Sequence, residues 1–178
     1  MAKGFDIPHR KTQLSHDFFA RPAVDVAQDL LGRVFVVGRE GSATLYAQLH
    51  EVAAYQGDAK TASEGIKYAS GIVSVSTKYG KHLVDIATGK FGKPSCVTLI
   101  AAEIRDGAGS RGFAQGPGNL SRLLEIDSHY NGLPLNSGHQ SPLWIGGKGI
   151  DSEKILKRDL SGVSENCKGY FYIRPGTA

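Results

Sequence analysis

The sequence predicts a single α+β domain. Segments with strand patterns outnumber helical ones, and no repeat, low-complexity tract or clear linker divides the chain. Several strands with only two or three helices are typical of this class. At 178 residues the chain has the length of one compact domain and is short for two. We therefore expect one folded unit over residues 15–178, preceded by a polar, flexible N-terminal arm at residues 1–14.

One long and one short helix are predicted. Between Ser15 and Gly32, apolar residues recur at three- or four-residue spacing; Ser15 or Asp17 can cap the start of the helix, and Gly32 can close its end. The second helix is predicted over NLSRLLEI. Because the adjacent Ser15, His16 and Asp17 cannot all point at one reacting atom, a helix cap is a better interpretation of them than a catalytic triad.

Strand patterns fill most of the remaining chain. Two hairpins are predicted: RVFVV with ATLYAQLHEVAAY, and Val73–Thr77 with His82–Ala87 around the turn KYGK. Further strands are predicted at SCVTLIAAEI, PLWI and GYFYI. The glycine-rich segment DGAGSRGFAQGPG is predicted to be a loop. It matches neither the dinucleotide-binding nor the P-loop pattern, which disfavours a nucleotide site there.

Positive charge is concentrated in one part of the chain. The formal net charge is +4, and residues 60–93 alone carry six lysines against Glu64 and Asp85, so the remainder balances to zero. A local excess of this kind suits a polyanion such as nucleic acid. A solvated lysine face that only keeps the protein soluble would have the same composition, so charge alone leaves both interpretations open.

Neither a metal site nor a membrane segment is expected. Cys96 and Cys167 lie far apart and show no CxxC or CxxH spacing, which disfavours a structural zinc site and a disulfide framework. No run approaches the roughly 18 apolar residues of a membrane helix. The N-terminus also lacks the apolar stretch of a signal peptide. We therefore expect a cytoplasmic protein without metal or cofactor.

Six segments, in one order, resemble the alkyladenine (3-methyladenine) DNA glycosylase family: FFARPAVDVAQDLLGRVFVV, EVAAYQG, KYGKHLVDIAT, CVTLIAAE, GPGNLSRLL and YFYIRPG. Each is a short pattern of common residues, but six in one order, over about residues 17–176, are hard to obtain by chance. The resemblance implies a curved antiparallel β-sheet with flanking helices. It also implies an enzyme that flips a damaged nucleotide out of the duplex and hydrolyses its bond to deoxyribose. Its partner would be double-stranded DNA carrying an alkylated or deaminated purine. The protein itself would be a monomer associated with the nucleoid.

The resemblance places the DNA-inserting tyrosine at Tyr79. Gly80 allows a tight turn there, and Lys78 and Lys81 flank it. An aromatic ring can fill the space that the flipped nucleotide leaves, while two ammonium groups hold the neighbouring phosphates. Without the lysines and the family resemblance, a hairpin tyrosine packed on the surface would be the preferred interpretation.

The same resemblance assigns residues around the flipped base. Tyr55 matches the tyrosine that stacks on the base, although a core aromatic at a strand end is the simpler alternative. Asp85 falls near the asparagine that lines the pocket floor, if one residue is deleted after Gly80. Gly162 and Val163 resemble a late loop that offers backbone groups to the base edge.

Three positions around the base depart from the family. In the family's E-x-E-A-Y pattern, the second acid activates the attacking water and supports positive charge on the sugar. Here that position is Ala53. The neighbouring arginine of the family falls at Ile100, and its stacking histidine falls at Glu64 if no gap is placed. Losing a general base costs roughly 10²–10⁴ in rate, yet a cationic alkylated purine is already a good leaving group.

An acid at another position could activate the attacking water in place of a carboxylate at position 53. Glu51 precedes Ala53 by two residues, so on a strand it shares the same face at a distance of about 7 Å. Asp85 can face the same cavity from the neighbouring hairpin, and Glu64 can reach in from a loop. Glu51 can equally repeat the family's first acid, with a structural or DNA-facing role.

Two functions stay open at this point. The preferred one is a DNA glycosylase with Glu51 and Asp85 as catalytic candidates, because a basic hairpin wedge with a pocket tyrosine suits base flipping. The alternative, favoured by Ala53 and Ile100, is a non-catalytic binder of damaged or distorted DNA. Reuse of the fold for RNA or a nucleoside is a weaker third option.

Overall fold

The computed structural model describes residues 4–57, 68–90, 93 and 95–178. Within these residues, nine strands form one antiparallel sheet, flanked by three short α-helices. The strands are β1 (Val34–Val37), β2 (Leu45–Gln56), β3 (Val73–Lys78), β4 (Lys81–Ala87), β5 (Ser95–Asp106), β6 (Gly109–Gln115), β7 (Leu143–Gly146), β8 (Leu156–Lys157) and β9 (Cys167–Tyr172). The helices are α1 (His16–Phe19), α2 (Ala23–Leu30) and α3 (Pro117–Leu123). The predicted α+β class and curved antiparallel sheet are confirmed.

The sheet is built around its two long strands, β2 and β5. The strand order is β3-β4-β5-β2-β1-β7, with β6 paired to the second half of β5 and β9 paired to the second half of β2 and to β8. The pairing of β2 with β5 shifts register on both sides of Glu51. Because such irregularities bend a strand and increase its twist, the sheet curls where β2 and β5 exchange partners.

One face of the sheet carries the main hydrophobic core. Its centre consists of fully buried alternate residues of the two long strands, packed with residues of α2 and α3: Val52, Ala54, Val97, Leu99, Val26, Leu30 and Leu120. The opposite face, at the second half of β2, does not contribute to this core. Among the described residues, no helix combines the length and the hydropathy that a bilayer crossing requires.

The long helix predicted between Ser15 and Gly32 is two helices. Helix α1 ends at Phe19, and Pro22 takes the N-cap position of α2. Proline disfavours the helical conformation in the residue before it, so the chain turns at this point. The carbonyl of Pro22 then accepts hydrogen bonds from the backbone N–H groups of Asp25 and Val26, which begins α2.

The glycine-rich segment predicted as a loop is strand β6 instead. The Asp106 carboxylate accepts hydrogen bonds from the backbone N–H groups of Ala108 and Gly109, at 2.7 and 3.0 Å, and from Arg111 at 2.6 Å. These bonds, that from Ala108 foremost, hold the pKa of Asp106 below its ordinary value. They also fix a tight turn that returns the chain along β5. Glycine is depleted in strands, so the composition of this segment predicts a loop. Pairing with β5 makes it a strand instead.

The described part of the predicted N-terminal arm packs against β1 and β7. Phe5 is buried in a cluster with Val34 and Trp144, and the guanidinium of Arg10 lies 5.0 Å from the Trp144 ring. The backbone N–H of Leu14 donates to the carbonyl of Ile145 at 2.9 Å. The boundary between arm and domain stays a prediction.

Candidate active site

The second half of β2 presents Glu51, Ala53 and Tyr55 on the sheet face opposite the main core. Alternate residues of a strand point to the same face, and the intervening Val52 and Ala54 belong to the core. We call the face that carries Glu51, Ala53 and Tyr55 the site face.

Cross-strand pairing extends the site face into neighbouring strands. Ala53 lies opposite Thr98 of β5 on one side and opposite Tyr170 of β9 on the other. Thr98 in turn lies opposite Asp85 of β4. Asp85 therefore occupies the same cross-strand row as Ala53, two strands away. Directly paired residues in antiparallel strands have Cβ atoms about 4.5–5.5 Å apart, so the members of this row are close neighbours.

Ala53 is fully buried in an apolar cluster. Its buried companions are Ile100 and Cys167, and the half-buried side chains of Tyr55, Leu160 and Tyr170 pack against them. Ala53 and Ile100, to which the family resemblance assigns a carboxylate and an arginine, thus lie together in one apolar cluster.

Tyr55 lies between two buried thiols. Its cross-strand partners are Cys96 on β5 and Cys167 on β9, and both cysteines are free. Burial raises the pKa of Tyr55 to about 12, with further contributions from Cys167, Asp85 and Cys96. Burial and the charge of Asp85 also raise the pKa of Cys96. At neutral pH the site face therefore presents a protonated phenol and an unreactive thiol.

Glu51 is a buried carboxylate held by two partners. The side-chain amide of Gln115 donates to its Oε2 at 2.8 Å, and Nη2 of Arg158 lies 2.9 Å from its Oε1. The Arg158 guanidinium is half exposed and lies 5.1 Å from the ring centroid of Tyr170 and 5.5 Å from that of Tyr172. A buried charge is tolerated when it is paired in this way.

One oxygen of Glu51 keeps free acceptor capacity. The contact of Oε1 with Arg158 is an ion pair without hydrogen-bond alignment, and within the described residues Oε1 accepts no hydrogen bond. Burial raises the pKa of Tyr170, and the neighbouring Glu51 raises it further. Tyr170 therefore keeps its proton at neutral pH.

Asp85 is the second buried acid of the site face. The hydroxyl of Thr98 donates a hydrogen bond to its Oδ1. The charge of Asp85 contributes to the raised pKa of both Tyr55 and Cys96. The site face thus holds two acids on different sides of Ala53.

The β3–β4 hairpin ends in an exposed aromatic residue. Tyr79 is 91% exposed and has a φ of 51°, followed by Gly80 with a φ of 72°. Lys78 and Lys81 are cross-strand partners directly below the turn, and the Lys78 ammonium lies 5.5 Å from the Tyr79 ring. The aliphatic stem of Lys81 passes close to Gly118, at the start of α3. A Cβ at position 118 would lie 2.6 Å from the Lys81 Cδ, so glycine leaves the space that this stem occupies.

The remaining predicted residues are placed as follows. Gly162 and Val163 are exposed, and Leu160 of the same segment is the residue that packs against the Ala53 cluster. Glu64 lies outside the described residues. Within the described chain, no three histidine, cysteine or acidic residues are grouped closely enough to hold a metal ion.

Four residues of the site face are not predicted from the sequence: Thr98, Gln115, Arg158 and Tyr170. The alternation in GYFYI could have placed Tyr170 and Tyr172 on one face of the final strand. Gln115 was assigned to a loop, and Arg158 follows a two-residue strand that has no sequence pattern.

Comparisons with known proteins point to one family. The family model described as methylpurine-DNA glycosylase (MPG) matches residues 17–174. Three similar proteins carry the name "Putative 3-methyladenine DNA glycosylase". The protein from Streptomyces avermitilis is 31% identical over 86% of this chain and 83% of its own length. That from Anaeromyxobacter sp. (strain Fw109-5) is 37% identical over 69% and 68%. That from Desulfitobacterium hafniense (strain Y51) is 30% identical over 90% and 95%. The chain therefore belongs to the methylpurine-DNA glycosylase family.

Proposed function

We propose that this protein is a DNA base-excision repair glycosylase with a rearranged catalytic site. It flips an alkylated or deaminated purine out of double-stranded DNA and hydrolyses the N-glycosidic bond. The observation that carries the proposal is the conformation of Tyr79, an almost fully exposed tyrosine with a positive φ.

The tip of the β3–β4 hairpin destabilises the free protein through its backbone conformation and through its charges. A non-glycine residue in the left-handed region is strained by roughly 1–2 kcal/mol, and an exposed ring gains little packing in return. Below it, Lys78 and Lys81 face each other across the strands, and like charges directly opposite are destabilising. Strain of this kind clusters at functional sites. A DNA backbone would neutralise both lysines, and a vacated base position would bury the ring.

The site face supplies the groups for the chemistry. Tyr55 stacks on the extruded base, and Gly162 and Val163 border its edge. Glu51 and Arg158 form a carboxylate–arginine pair one step along β2 from Ala53, which supports Glu51 as the acid that activates water. Asp85, held by Thr98, places a second negative charge near the base and the sugar, where positive charge develops.

The experiment that tests this function is base release under single-turnover conditions. Protein in excess is incubated for hours with duplexes that each contain one alkylated or deaminated purine, and abasic sites are cleaved with alkali and counted. We expect abasic sites in at least one lesion duplex and none in an undamaged duplex of the same sequence. If no duplex releases a base, the protein is not a glycosylase.

The burial of Ala53 and Ile100 in one apolar cluster favours a second candidate, a non-catalytic binder of damaged DNA. Such a protein would bind a duplex with an abasic analogue more tightly than intact DNA and release no base. The two candidates therefore differ in the same experiment: binding without abasic sites supports the binder, and abasic sites exclude it.

A further inference from the structure

Arg158 is held in one position at the border of the site face. Its backbone N–H, directly after β8, donates to the carbonyl of Tyr170 at 2.9 Å. Its guanidinium lies 5.1 Å from the ring centroid of Tyr170 and 5.5 Å from that of Tyr172. Both distances are within the roughly 6 Å over which an aromatic face attracts a cation. Its Nη2 lies 2.9 Å from Oε1 of Glu51. Backbone, rings and carboxylate together fix the guanidinium before any ligand arrives.

The guanidinium keeps its hydrogen-bond donors for another group. Arginine carries five N–H donors in a planar fork. Within the part of the chain that the structure describes, the ion pair with Glu51 lacks hydrogen-bond alignment and the Arg158 side chain donates no other hydrogen bond. Glu51 lies on the buried side, with its second oxygen held by Gln115 at 2.8 Å, whereas the Arg158 side chain is 52% exposed. Such a fork matches the paired oxygens of a phosphate, so an anion that arrives from solvent suits these donors.

The location of Arg158 favours a DNA phosphate as that anion. At the second half of β2, the strands follow the order β3-β4-β5-β2-β9-β8. The hairpin that carries Tyr79 therefore lies on one side of β2 and Arg158 lies on the other, with the site face between them. A nucleotide displaced onto the site face has a phosphate on each side of its sugar. The hairpin lysines suit the phosphate on one side, and Arg158 suits the phosphate on the other.

We propose that Arg158 binds a backbone phosphate of the strand that carries the flipped nucleotide, on the side of that nucleotide away from the hairpin. This inference rests on the proposed function, of which it uses only the binding of double-stranded DNA with one nucleotide displaced onto the site face. Arg158 is a positioning residue in this role, because it fixes the DNA backbone and touches no reacting atom. Since the guanidinium is already held in place, little side-chain entropy is lost when the phosphate binds.

The first test measures how the affinity for a duplex with an abasic analogue depends on salt. Each phosphate that a protein neutralises on B-DNA contributes about 0.9 to the slope of log K against log salt concentration. We expect Arg158→Gln to bind about tenfold more weakly at fixed salt and to reduce the magnitude of this slope by about 0.9. An unchanged slope would reject the phosphate contact.

Arg21→Gln is the matched control for the loss of one positive charge. Arg21 also pairs with an acid, Asp29, and its guanidinium also lies over an aromatic ring, that of Phe18. It lies between α1 and α2, and α2 packs against the core face of the sheet. Arg21→Gln should therefore leave both the affinity and the salt slope unchanged. If it reduces the slope as much as Arg158→Gln does, the effect is one of net charge and the proposed contact is rejected.

The second test identifies the phosphate. Neutral methylphosphonate linkages replace, one at a time, the phosphates on both sides of the abasic analogue. One linkage should weaken binding by the parent protein about tenfold but should weaken binding by Arg158→Gln no further, because both changes remove the same contact. Lys81→Gln should show this coupling at a different linkage, on the other side of the abasic analogue. Equal losses for the parent protein and Arg158→Gln at every linkage would overturn the assignment.

A second pair of variants covers the effect of Arg158 on folding. Removing the arginine leaves the buried Glu51 carboxylate without its charge partner, which is destabilising. If Arg158→Gln does not fold, Arg158→Gln/Glu51→Gln is compared with Glu51→Gln, and the same coupling to one linkage is expected. Coupling without base release by the parent protein would exclude the glycosylase function and leave the phosphate contact standing. Base release without coupling would do the reverse, and no binding to any duplex would exclude both.

Discussion

Ala53 and Ile100, the two positions to which the family resemblance assigns a carboxylate and an arginine, lie together in one apolar cluster. Replacing one member of a buried charge pair leaves the other uncompensated, at a cost of about 3–5 kcal/mol. Replacing both by apolar residues removes that cost. Two apolar residues together therefore avoid an uncompensated buried charge, and Glu51 with Arg158 forms a separate charge pair nearby.

We expect charges introduced at positions 53 and 100 to change the stability of the protein. Ala53→Glu alone should lower the free energy of unfolding by about 3–5 kcal/mol, because the new carboxylate would be buried among apolar side chains. The double variant Ala53→Glu/Ile100→Arg should recover part of that loss. Denaturant unfolding measures both, and Ala53→Gln separates the effect of charge from that of volume. A single Ala53→Glu variant as stable as the parent would show that the cluster admits water or a cation.

The β3–β4 hairpin combines a strained turn with a facing pair of lysines. Both features weaken an isolated hairpin, and both suit contact with DNA. A two-residue hairpin turn with positive φ at both positions favours asparagine followed by glycine, whereas this turn has tyrosine at the first position.

Replacing the tyrosine should therefore separate stability from function. We expect Tyr79→Asn to stabilise the protein by about 1 kcal/mol, which corresponds to roughly 2–4 °C in Tm for a chain of this size. The same change should slow base release about tenfold or more, because the vacated base position stays unfilled. Thermal unfolding and single-turnover kinetics check the two effects, with Lys154→Ala, an exposed lysine outside the hairpin, as the control. A faster or unchanged rate of base release would remove Tyr79 from the mechanism.

How far the sequence predicts each element depends on whether its pattern is local. The hairpin of β3 and β4 and the long strands β2 and β5 were predicted because alternating residues and turn residues mark them within short windows. Strand β6 was missed because its glycines are poor strand formers and only pairing with β5 orders them. At the site, Glu51, Ala53 and Tyr55 follow from one strand, whereas the Tyr170 and Arg158 contacts depend on β9 joining β2, which no local pattern indicates.

At the scale of the whole molecule, the two faces of the sheet have different roles. One face of β2 and β5 builds the main core, and the other carries Glu51, Ala53 and Tyr55. The same curled sheet also carries the lysine-flanked hairpin. The arrangement suits a duplex held at the hairpin and one nucleotide displaced onto the site face.

Affinity for distorted DNA tests this division of tasks. A flipped or missing base spares the protein the cost of unpairing and unstacking, which amounts to a few kcal/mol. We expect binding to a duplex with an abasic analogue at least about tenfold tighter than to the intact duplex, a difference of about 1.4 kcal/mol. Fluorescence anisotropy at fixed salt measures it. Equal affinity for both duplexes, or preference for RNA, would indicate that the fold serves another ligand.

The most direct measurement of the central claim is single-turnover release of an alkylated purine by the parent protein, Glu51→Gln and Asp85→Asn. The parent protein should produce abasic sites, and Glu51→Gln should be slower by about 10²–10⁴. Asp85→Asn should retain more activity than Glu51→Gln, because its carboxylate lies two strands from Ala53 and acts through its charge. Equal rates for the parent protein and Glu51→Gln would contradict the claim that this carboxylate replaces the one absent at position 53.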